Sequence, residues 1–172
     1  MNAISESLLV LMILLSFLLL GTGRLVTCIR LVAMQGVVVG LLPIIMSGAT
    51  LTLRVAVIGV VIIVLKGFVF PRLLFRALRK SDTRSEIKPF VGYAASLLVG
   101  LLSLLASFWL DTRIKLPVVS ASHLVVPVAF SMMMTGLFLI VARRTAVNQV
   151  IGYIVLENGI YAFGLAIVRD IP

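Results

Sequence analysis

The sequence predicts an all-α protein, a polytopic bundle of about six transmembrane helices, and three observations predict it. The composition is 62% hydrophobic and 12% charged, with a mean hydropathy of +1.25, where soluble domains are roughly half apolar and a quarter charged. The apolar residues fall into six runs, about 4–22, 25–47, 52–71, 89–110, 118–142 and 149–168. A hydrocarbon core about 30 Å thick takes roughly 20 helical residues at 1.5 Å each, so every run is long enough to cross it. The runs are also too long and too evenly apolar for barrel strands, which alternate over about ten residues. The whole chain, 1–172, reads as a single membrane domain.

Taken in order, the first run carries Glu6, follows no Lys or Arg and leads to no small-residue cleavage pattern. It is expected to remain as a helix rather than leave as a secretory signal. The second holds Cys28, Arg30, Gln35 and Pro43. The third holds Lys66 and closes at Pro71, whose missing N–H is expected to break the helix there. In the loop 72–88 that follows, RLLFRALRK sets Arg72, Arg76 and Lys80 at i, i+4 and i+8 opposite Leu74, Phe75 and Leu78, with Arg79 beside them. This reads as a short basic helix on the cytoplasmic membrane surface, able to meet anionic lipid or a partner; a solvated basic loop is the plainer reading. The fourth run carries no Lys, Arg, Asp or Glu. The fifth holds His123, Pro127 and Met132-Met133-Met134. The methionines read as adaptable packing, and Pro43 and Pro127 as points where a helix can bend.

The last run, QVIGYIVLENGIYAFGLAIV, places Glu157-Asn158-Gly159 at its centre. Asn-Gly between apolar stretches is a hairpin signal in water. In hydrocarbon a turn there would leave two half-spans with unpaired backbone groups, each costing several kcal/mol. A continuous helix is therefore predicted, with Gly152, Gly159 and Gly164 offering close helix contacts.

Orientation follows from the short loops. Arg24, Arg72, Arg76, Arg79, Lys80, Arg84, Lys88, Arg143 and Arg144 lie on one side, nine basic residues against four on the other, Arg54, Arg113, Lys115 and Arg169. The excess places the long loop in the cytoplasm and the N-terminus outside, in an inner (cytoplasmic) membrane. The formal charge of +9 is thus a topology signal; without aromatic interleaving it does not point to nucleic acid. The one cysteine, Cys28, allows no disulfide framework and no Cys-ligated metal or iron–sulfur site, so no cofactor is expected on this chain.

An ionisable residue inside a span is by default a functional candidate, because a charge at a helix centre costs about 2.5–3.5 kcal/mol on insertion scales. Glu157 lies near the midpoint of its run. Lys66 falls about 7 Å to the cytoplasmic side of midplane and His123 about 10 Å to the outer side. The three form a staircase of titratable groups suited to a proton relay. Tyr153 and Tyr161 flank Glu157 at i−4 and i+4, and Asn158 adjoins it; these could orient the carboxylate or order water. The competing reading makes Lys66 and Glu157 a structural ion pair. Lys66 can also snorkel, His123 can be an ordinary polar residue near the outer surface, Arg30 can snorkel or pair, and Gln35 reads as a helix–helix hydrogen bonder.

The block Ala142-Arg143-Arg144 through Gln149 to Glu157-Asn158-Gly159, with Cys28-Ile29-Arg30 to Gln35 and Leu65-Lys66-Gly67 to Pro71, resembles the E membrane subunit of hydrogenase-4. That subunit belongs to energy-converting group 4 hydrogenase and formate hydrogenlyase complexes and is distantly similar to the K-type subunit of respiratory complex I. The resemblance implies a subunit that is not an enzyme by itself, set beside antiporter-like and channel-like membrane subunits and a hydrophilic hydrogenase/iron–sulfur arm. Its role would be proton or sodium translocation, with Glu157 on the proton axis. It also implies a further apolar helix beyond Arg169-Asp170-Ile171-Pro172. The residues alone leave two other readings open: a structural, lipid-binding adaptor between larger membrane subunits, and a stand-alone transporter.

Overall fold

A computed structural model describes residues 3–48, 51–80, 91–113, 123–143 and 145–167. Among them there is no strand, and the expected all-α, six-span bundle is what the chain forms. The helices are α1 (Ala3–Gly21), α2 (Leu25–Ser47), α3 (Leu53–Ile62), a π-helical segment Ile63–Val69, α4 (Phe70–Lys80), α5 (Tyr93–Arg113), α6 (Val125–Ala142) and α7 (Ala146–Ile167). Since α3, the π segment and α4 run on as one helix, Leu53–Lys80, six helices are long and apolar enough to cross a membrane. The chain is a multi-pass membrane protein.

Two of the departures of the helices from the expected spans lie at prolines. Pro71 does not end the third span, because the helix passes through it to Lys80. The turn before it is π-type, with the Phe70 N–H reaching back to the Leu65 carbonyl. A widened turn gives the proline ring room where an α-turn would set it against the carbonyl four residues back. The basic stretch 72–80 is accordingly the end of a long helix rather than a separate surface helix. Helix α6 of the fifth span begins at Val125, after a turn at His123 and Leu124, which puts Pro127 in the first turn, where no intrahelical N–H bond is owed; 118–122 lie outside the described residues. Pro43 lies inside α2, which continues to Ser47. Ser47 Oγ donates to the Pro43 carbonyl at 2.7 Å. Arg84, Lys88, Lys115, Arg144, Arg169 and Asp170 lie outside the described residues.

Lipid tails are as apolar as leucine, so helices in a bilayer associate through close packing rather than water exclusion. Glycines supply that closeness here. A Cβ on Gly136 of α6 would stand 2.5 Å from the Leu156 backbone nitrogen of α7, and one on Gly159 would stand 2.8 Å from the Ala129 carbonyl. Gly152 meets the Gly136 carbonyl in the same way, whereas Gly164 has nothing within 4 Å and makes no such contact. A second seam joins α2 to the third span, where Gly36 and Gly40, from GVVVG, face Lys66, Ile63 and Gly59. The α2 and α6 helices form the centre of the bundle, and α3 and α5 its most exposed edges. Leu9, Met12, Ile29, Val39, Val128, Met132 and Val155 fill the interior. Leu53, Val57 and Val60 on α3 and Leu98, Leu102 and Leu105 on α5 face outward.

One end of the bundle gathers the basic residues. Arg143, 2% exposed, donates from Nη2 to the Leu20 carbonyl at 3.4 Å and lies over the Tyr93 ring at 5.8 Å. The end of α1, the start of α5 and the end of α6 therefore share one side, as the alternation of basic loops requires.

Candidate functional site

Lys66 is the fourteenth of 28 residues in the long third span, and Glu157 the twelfth of 22 in α7. Both are central. Lys66 leaves the π segment against Gly36, so closely that a Cβ at Gly36 would come within 2.6 Å of the lysine Cβ. With the stem held against bare backbone, the side chain is buried and its ammonium reaches α7. There Nζ donates to Asn158 Oδ1 at 2.9 Å, lies 3.3 Å from Glu157 Oε1, and stands 6.0 Å from the centre of the Tyr161 ring. The pair is asymmetric, since the lysine side chain is 8% exposed and the glutamate side chain 42%.

The glutamate's exposed side opens on a groove of about 400 Å³ between α4 and α7. Phe70, Leu73 and Leu74 form one wall, and Val150, Tyr153, Ile154 and Glu157 the other. Tyr153 therefore belongs to the groove, while Tyr161 and Asn158 belong to the lysine. Asn158, one of three residues expected to orient the carboxylate or order water, accepts from the lysine that pairs with it.

Behind the pair lies a second polar contact. Gln35, fully buried on α2 and adjacent to Gly36, donates from Nε2 to Ser16 Oγ at 3.0 Å, and Ser16 donates to the Met12 carbonyl at 2.9 Å. Gln35 thus is a helix–helix hydrogen bonder, between α2 and α1. Gln35 Oε1, Asn158 Nδ2 and the Tyr161 hydroxyl are buried polar atoms that make no hydrogen bond among the described residues. Internal water characteristically satisfies such groups.

Other expected residues lie elsewhere. His123 is exposed, in the turn before α6. The level of Glu157 on α6 is marked by Met133 and Gly136, which meet Gly159 and Leu156. His123 precedes Met133 by ten residues, so at 1.5 Å per residue it lies about 15 Å away. The structure does not bring it to the pair. Arg30 is exposed on α2, and Arg72, Arg76, Arg79 and Lys80 are exposed on α4, with Arg72 over the Phe68 ring at 5.7 Å. Leu74 is buried opposite them, and Phe75 and Leu78 pack partly against the core.

Sequence reasoning missed Ser16, the Gly36–Gly40 seam and the burial of Arg143. The first two carried signals, a lone serine and a small-xxx-small spacing in apolar runs. The third carried none, because an arginine at a span end normally reads as a loop charge. At the end of α1 it instead meets a carbonyl left over by the helix. Among the described residues no group of three or more His, Cys, Asp and Glu could hold a metal ion.

No family model and no solved structure matches the chain. Uncharacterized protein Rv0085 of Mycobacterium tuberculosis is 30% identical to it over 166 residues, which cover 94% of this chain and 74% of that protein. The chain therefore belongs to the family of Uncharacterized protein Rv0085.

Proposed function

We propose that this protein is a non-catalytic membrane subunit of a redox-driven ion-translocating complex of the group 4 hydrogenase or formate hydrogenlyase type, in the inner membrane, with Glu157 and Lys66 as its proton-handling pair. The observation that carries the reading is the asymmetry of that pair, a shielded mid-span ammonium against a half-exposed mid-span carboxylate. A carboxylate open on one side can exchange a proton. Asn158 holds the ammonium beside it, accepting from Lys66 Nζ at 2.9 Å. Gln35, Asn158 and Tyr161 offer polar atoms to water around the same centre. Antiporter-like and channel-like subunits and a hydrophilic iron–sulfur arm are the partners this reading requires.

The test is Glu157→Gln in inverted membrane vesicles. Assembly should persist, since a glutamine oxygen still accepts from Lys66, and redox-driven proton transport should fall. Unchanged transport at normal assembly would end the proposal. The burial of Lys66 against Gly36 favours a second reading, a structural adaptor in which the pair locks the third span to α7. On that reading Glu157→Gln impairs assembly, and adding Lys66→Met restores it with coupling intact.

A further inference from the structure

The groove between α4 and α7 has a shape and a charge that together specify an occupant. Its α7 wall is Val150, Tyr153, Ile154 and Glu157, at i, i+3, i+4 and i+7, and its α4 wall is Phe70, Leu73 and Leu74, at i, i+3 and i+4. Each wall is a single helical stripe, so the groove runs along the helix axes for about seven residues, or roughly 10 Å. A third helix lies into such a channel as an apolar face lies into a groove. Leu73 and Tyr153 stand out on its rims, 56% and 60% exposed.

One element of this surface does not suit lipid. Glu157 projects into the groove at the middle of its span, with 42% of its side chain uncovered, and Lys66 reaches its Oε1 from behind at 3.3 Å. Acyl chains there would leave a carboxylate facing hydrocarbon, the environment in which ionisable residues are least tolerated without a partner. We infer that the groove receives a transmembrane helix of another chain, one carrying a Lys, Arg or His at the depth of Glu157, so that the carboxylate is shared between two cations. A second copy of this chain fits less well: its own mid-span cation, Lys66, is buried and already committed to Asn158 and Glu157. The inference rests on reading the chain as a subunit of a larger assembly, but not on what that assembly does.

The experiment places a photoactivatable benzophenone side chain at Tyr153 in the native membrane, with one at Leu98 on exposed α5 as a control outside the groove. Sequencing of the adduct should identify, from the Tyr153 position only, an apolar span of a different polypeptide containing a basic residue. Glu157→Lys should lower that adduct's yield by about tenfold or more, the scale of losing a buried charge partner. Changing the partner's basic residue to Glu should then restore it. Adducts to lipid alone, to a second copy of this chain, or to a span without a basic residue would each overturn the inference. The same membranes, solubilised mildly, are assayed for co-isolating nickel–iron or iron–sulfur proteins. A basic-span adduct without them keeps the groove and removes the hydrogenase reading, and their presence with a lipid-only adduct does the reverse.

Discussion

Removing Lys66 should destabilise the bundle more than neutralising Glu157, and the difference can be worked from the two contacts of Nζ. Lys66→Met deletes the hydrogen bond to Asn158, which is fully buried, and so strands Oδ1. An unsatisfied buried acceptor costs about 1–3 kcal/mol. The ion pair adds less than a sealed one would, about 1 kcal/mol or below, because the carboxylate is 42% exposed and open to hydration. The sum is about 1–4 kcal/mol, which for a chain of this size shifts the unfolding midpoint by roughly 2–16 °C. Glu157→Gln retains an oxygen for Lys66 and leaves Asn158 bonded, so its cost should stay near or below about 1 kcal/mol. Cys28, buried and the one cysteine in the sequence, provides the assay. In detergent, a thiol-reactive fluorophore reports the temperature at which the bundle opens. Equal losses, or a larger loss for Glu157→Gln, would show that the carboxylate anchors the helices and would refute the asymmetric pair.

Two further outcomes follow from the geometry. Gly136→Ala sets a methyl 2.5 Å from backbone of α7, which cannot move aside as a flexible side chain can, whereas Gly164→Ala meets nothing within 4 Å. The first should cost about 1–3 kcal/mol and the second should stay within about 0.5 kcal/mol in the same thiol assay. His123→Ala, changed far from the pair in an exposed turn, should leave proton transport in vesicles at its original rate; a large loss would return His123 to the pathway.

Much of this architecture is legible in the linear chain. Span number, order and approximate ends follow from the hydrocarbon thickness, a constraint on each segment separately that needs no knowledge of neighbours. The Asn158-Gly159 pair reads correctly as helix for the same reason, since backbone groups at membrane depth must be satisfied within their own segment. Where local rules compete with a neighbour, the reading fails. Pro71 marks a break by its own chemistry, and only the π turn of Ile63–Val69, packed against Gly36, lets the helix continue. Gly164 looks like Gly152 and Gly159 in sequence, but no helix lies against it.

The candidate site divides along the same line. That a carboxylate and an ammonium stand inside apolar spans is legible from the residues alone, because an ionisable residue is conspicuous in hydrocarbon wherever its partner lies. The sequence could not decide between a staircase from His123 to Lys66 and a single pair, since depth along one helix says nothing of which face meets which. The packing of the helices supplies the faces. Helix α7 turns Asn158 and Glu157 to the same ammonium, His123 stands in the exposed turn before α6, and the groove beside α4 leaves the carboxylate half open. Those relations depend on how helices rotate and cross, and the glycine contacts that set the rotation join residues far apart in the chain.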